Sequence, residues 1–108
     1  MVVTVQERKT RRAEQLRAAA KSAIAKLRIY ATERSGQFLV FGLAARNDMQ
    51  FDSDFDVIVD FPLGAQSAAR DYAEDICRSV GLTPDVHLIS EASPTLMSRV
   101  SRDALTLP

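Results

Sequence analysis

The centre of "VFGLAARNDMQFDSDFDVIVDF", residues 40–61, is "DSDFDVIVDF" (52–61), which threads four aspartates (Asp52, Asp54, Asp56 and Asp60) through Phe, Val and Ile residues that otherwise read as a buried strand. Carboxylates are costly to bury unless a cation or hydrogen-bond donors meet them. Side chains alternate along a strand, so Phe55, Val57 and Val59 share one face, and Asp54, Asp56, Ile58 and Asp60 share the other. The first face reads as core. The second sets Asp54 beside Asp56, where like charges raise the cost of ionising both. A divalent cation removes that conflict, and an all-oxygen donor set suits Mg²⁺ or Mn²⁺. By itself D-x-D equally describes two solvated residues on an exposed strand face. Asp60 lies about 13 Å further along the strand than Asp56, too far to share an ion, and Asp52 reads as a turn residue.

Working outward, "FLVF" (residues 38–41) is a short β-prone run, and residues 42–52 form a polar connection to the strand at 53–61. Upstream, "TVQE" has capping-box form, and Leu16, Ala20, Ile24, Leu27 and Ala31 recur at helical spacing, which predicts one long amphipathic helix over 5–34. "RSGQ" ends it, with Gly36 expected to take the positive φ. Downstream, Ala65, Ala68, Ala69, Tyr72, Ala73, Ile76, Cys77 and Val80 form an apolar stripe closed by Gly81, a second helix over 65–80. "DVHLI" is a third strand. Ser93 and Pro94 open a short helix running to about Asp103. The order helix, strand, strand, helix, strand, helix predicts a single small α/β (α+β) domain, with helices packed on one face of a short mixed sheet. Its parts are a basic helix at 1–36, a core at 37–90, and a C-terminal helix and tail at 91–108.

Composition narrows the classes. The chain has 108 residues, 46% hydrophobic and 26% charged, which is ordinary for one globular domain. No run approaches the ~18 apolar residues of a membrane span, and no apolar signal core opens the chain. A single cysteine, Cys77, excludes an internal disulfide and fits a reducing cytoplasm, and its place on the apolar stripe makes it a core thiol. The zero net charge conceals a split: residues 1–34 carry nine Lys/Arg against three Glu, and the remainder five Arg against eleven Asp/Glu. A basic helix can meet a polyanion or simply be solvated. Without an aromatic stacking platform, nucleic-acid binding has only charge in its favour.

The spacing in "FGLAARNDMQFDSDFDVIV" resembles the signature of the DNA polymerase β-like nucleotidyltransferase superfamily, and of its minimal nucleotidyltransferase branch in particular. That pattern runs strand, G-S-x-A-R-G, a spacer, S-D-x-D, an apolar strand, and a third Asp on a later strand. Gly42, Ala45, Arg46, Ser53, Asp54 and Asp56 fall at the family's spacing, and Asp85 in "PDVHL" suits the third carboxylate. The resemblance implies the polymerase β-like fold and Mg²⁺-dependent transfer of a nucleotide from ATP or another NTP to a hydroxyl, releasing pyrophosphate. It assigns Asp54, Asp56 and Asp85 to metal binding and catalysis, with Asp85 also taking the acceptor's proton. Gly42, the residue at 43, Arg46 and Ser53 would hold the nucleotide. Two positions depart from the pattern. Leu43 replaces a serine whose hydroxyl helps hold the phosphates, a loss of about tenfold to hundredfold in affinity. Asn47 replaces a glycine, and Asn tolerates a left-handed backbone.

So small a chain has little room for an acceptor pocket, so the acceptor is expected from a second protein or a dimer mate. The resemblance implies the antitoxin half of a toxin–antitoxin module, adding AMP to a hydroxyl of a small helical HEPN-type toxin. The competing class is a non-catalytic module that binds such a toxin directly, with Leu43 as its main support.

Overall fold

The computed structural model of the chain describes residues 2–108. Helix α1 (Val5–Arg34) begins where Thr4 accepts the Glu7 N–H at 3.1 Å, the capping half that "TVQE" predicts. Its thirty residues make a rod of about 45 Å. Residues 5–12 are all exposed, and burial starts at Ala13. From there Leu16, Ala20, Ala23, Leu27, Tyr30 and Ala31 line the buried stripe. The helix ends on Ser35, which takes the left-handed conformation (φ 56°). This corrects the expectation for Gly36, whose smallness serves a different need. A Cβ there would stand 2.3 Å from the Phe61 ring.

Four strands follow as one mixed sheet in the order β3-β2-β1-β4: β1 (Gln37–Phe41), β2 (Phe55–Asp60), β3 (Pro84–Leu88) and β4 (Leu105–Leu107). β2 is antiparallel to β1 and parallel to β3, and β4 adds antiparallel to the free edge of β1. The parallel β2–β3 step requires a crossover, supplied by α2 (Gln66–Ser79) after one 3₁₀ turn at Leu63–Ala65. Val57, Val59, Phe38 and Val40 point into the main core, where α1 and α2 cover the sheet. That core holds an aromatic group in which Tyr30 stacks on Tyr72 at 4.1 Å and tilts against Phe38 and Phe61. Cys77 is fully buried there, and burial pushes its thiol up to about 12, so it is inert packing.

The third helix, α3 (Pro94–Asp103), departs from the expected one-sided packing. Ser93 caps it by accepting the Leu96 N–H at 3.1 Å, with Pro94 at its first position. Its apolar residues Leu96, Met97 and Val100 meet Phe41 and Ile58, which point away from the main core. Helices therefore lie on both faces. α3 shares the second face with Asp56, and that placement builds the site. Among the described residues no helix is long and apolar enough to cross a membrane.

Candidate functional site

Strand pairing decides which carboxylates meet. Asp56 and Asp85 are register partners on parallel β2 and β3, so both project from the α3 face. The half-buried Asp56 carboxyl is pushed up to about 6. Burial is the main cause, followed by the neighbouring Asp85 carboxylate and then the negative charge of Asp54. Arg99 on α3 opposes these, favouring the ionised form. His87, two residues along the same face, places Nε2 3.1 Å from Asp85 Oδ1.

The backbone at the end of β1 closes around Asp56. Phe41 is the register partner of Asp56, and the next residue, Gly42, turns with φ 69°. A Cβ on Gly42 would fall 2.6 Å from Asp56 Oδ2, so both the turn and the carboxylate's position require glycine. Residues 42–47 then coil as a continuous turn in which Asp48 N–H donates to Leu43 O at 2.9 Å. Asn47 ends it at φ 55°, the left-handed geometry that Asn accommodates.

The other sequence candidates are arranged less tightly. Asp54 is exposed just before β2. Among the described residues, no three His, Cys, Asp or Glu side chains stand together in a group able to hold a metal ion. The structure thus joins Asp56 to Asp85 and leaves Asp54 beside the pair. Ser53 closes a tight turn, its Oγ accepting the Gln50 N–H at 2.8 Å. Leu43 is half-buried and packs against the main core. Arg46 lines a cleft of about 160 Å³ with Phe41, Gly42, Arg99, Arg102 and Asp103, and its Nε lies 3.5 Å from Asp103 Oδ2.

Arg99, Arg102 and the His87–Asp85 contact are the site features that sequence reasoning missed. Arg99 and Arg102 stand three apart on a helix and so share a strip. That spacing does not say which sheet face the helix covers. Comparison of the chain with protein-family models and with curated proteins finds no match.

Chemically, the arrangement offers an acidic pair beside a glycine turn and a basic cleft. The pair is all-oxygen, and two carboxylates are what Mg²⁺ ordinarily takes from a protein before water and phosphate oxygens fill its shell. Asp56 and Asp85 therefore fit such an ion. Burial, and then the neighbouring carboxylates, disfavour the ionised Asp56, a cost that a bound cation would offset.

Proposed function

We propose that the chain is a minimal nucleotidyltransferase of the polymerase β-like kind, moving a nucleotide, AMP from ATP, onto a hydroxyl of a partner protein. The observation that carries this reading is the in-register Asp56–Asp85 pair set against the Gly42 turn. The motif supplies its own support: Gly42, Ala45, Arg46, Ser53, Asp54 and Asp56 keep the family's spacing.

Asp56 and Asp85 would hold Mg²⁺, with Asp54 adding negative charge at the rim. When bound, the ion supplies neutralisation of triphosphate charge and acidifies the acceptor hydroxyl. The chain's residues do the remainder. Asp85, exposed and in contact with His87, takes the hydroxyl proton as the acceptor oxygen attacks the α-phosphorus. The bond from the α-phosphorus to its bridging oxygen breaks, and pyrophosphate leaves with that electron pair. Arg46 faces the departing phosphates from the cleft, where a cation steadies the charge that develops. The acceptor comes from outside the domain, in this reading a HEPN-type toxin encoded beside it.

Incubation with Mg²⁺, α-labelled ATP and the product of the adjacent gene tests this. Label on that product, lost with Asp56→Asn and with Asp85→Asn, is the expected result. A tight complex that never acquires label instead supports the second reading, a non-enzymatic toxin-binding module. The packing of Leu43 against the core favours that alternative, because no side-chain hydroxyl at position 43 meets phosphate.

A further inference from the structure

We propose that Arg99 and Arg102 of α3 join Arg46 in a polyphosphate-binding cleft, in which Asp103 competes with the ligand for Arg46. Three guanidinium groups and one carboxylate line this opening, leaving it net positive. Among the described residues, Asp103 pairs with Arg46 alone, at 3.5 Å. Arg99 lies over the Phe41 ring, 5.9 Å from its centroid. Guanidinium groups gathered at one opening repel unless an anion with several oxygens sits among them, and their planar forks suit phosphate.

Size and position narrow the ligand class. At about 160 Å³ the cleft is well below the roughly 300–1,000 Å³ of pockets that enclose a drug-sized molecule, so it takes a phosphate chain and not a nucleoside. Gly42 belongs to its lining and also abuts Asp56 Oδ2, so a chain of phosphates in the cleft begins next to the acidic pair. The identity of that chain as the tail of a nucleoside triphosphate rests on the proposed function; the recognition of polyphosphate does not.

The test is calorimetry on the full chain at low ionic strength and without metal, with inorganic tripolyphosphate in one arm and a non-hydrolysable ATP analogue in the other. R99Q and R102Q should each weaken tripolyphosphate binding about fivefold to tenfold, the lower range for charge-assisted hydrogen bonds at an exposed site. R99K should lose less, and D103N should tighten binding by freeing Arg46. Arg99 and Arg102 are exposed, and circular dichroism checks that the variants fold. Should R99Q disturb the Phe41 contact, R102Q carries the test. Tripolyphosphate that fails to bind, or that binds R99Q/R102Q as well as wild type, overturns the cleft. Weaker binding of the ATP analogue than of tripolyphosphate at the arginines assigns the site to inorganic polyphosphate. Arginine-dependent binding with no label transfer sinks the proposed reaction and leaves the cleft standing. Transfer with an unchanged KM for ATP in R99Q/R102Q does the reverse.

Discussion

Replacing Asp56 with asparagine should make the metal-free protein more stable at neutral pH while removing the group on which the proposed activity depends. The carboxyl sits at about 6 in the folded chain against an ordinary 3.8. Between those values the folded state holds a proton that the unfolded chain has released. The stabilisation is therefore complete below about 3.8 and is lost as pH rises through about 6. At 1.36 kcal/mol per pH unit of displacement, the ceiling is about 3 kcal/mol, and half-burial reduces it to about 1–2 kcal/mol. Asparagine cannot lose that proton, and its amide N–H still reaches toward Asp85. Urea denaturation of both proteins across pH 4–8 measures the difference. The advantage of Asp56→Asn should grow from near zero at the acid end to a plateau above about pH 6.5. Mg²⁺ should then raise wild-type stability and leave the variant unmoved. A variant no more stable than wild type at pH 7.5 refutes the claim that Asp56 is held under electrostatic stress.

Gly42→Ala should cost about 2 kcal/mol, since alanine is strained at positive φ and its methyl meets the Asp56 carboxylate. At about 4 °C per kcal/mol the melting temperature should fall by about 8 °C. Gly64→Ala, where a Cβ meets nothing within 4 Å, is the neutral control in the same thermal melts. Mg²⁺ affinity should rise with pH through about 6 as Asp56 sheds the proton that competes with the ion, a rise that Mg²⁺ titrations of Asp56→Asn should lack.

Much of this architecture is readable in the chain, and the unreadable parts have definite causes. α1 and α2 announce themselves because a long apolar stripe with a period of three to four residues can be buried along one side only when the chain is helical. The alternation Phe55, Val57, Val59 against Asp54 and Asp56 sets the faces of β2, and the 84–88 strand follows from its β-branched and apolar residues. β4 goes unseen because "LTL" is three residues long, too short for alternation to stand out, and its only partner is an edge of β1. The face that α3 covers is hidden for a related reason. Phe41 and Ile58 look like core residues, and only the pleat reveals that their core is the small second one. That hidden choice brings Arg99 and Arg102 to the site. The left-handed turn falls on Ser35 and not on Gly36, where the sequence shows no sign of the close approach of Phe61 that requires a residue without a Cβ. Alternation sets Asp54 beside Asp56, but only the parallel β2–β3 ladder, whose register the sequence does not reveal, makes Asp85 the partner of Asp56. The looser placement of Asp54, one residue before the ladder begins, was not legible either.

The most direct test of the account is whether Asp56 and Asp85 together bind a divalent cation. Electron paramagnetic resonance of Mn²⁺, titrated with protein in the presence of a non-hydrolysable ATP analogue, reads free ion directly. Wild type should deplete the free Mn²⁺ signal beyond what the analogue alone removes, and Asp56→Asn and Asp85→Asn should each lose that extra depletion. Equal depletion by all three proteins would contradict the account.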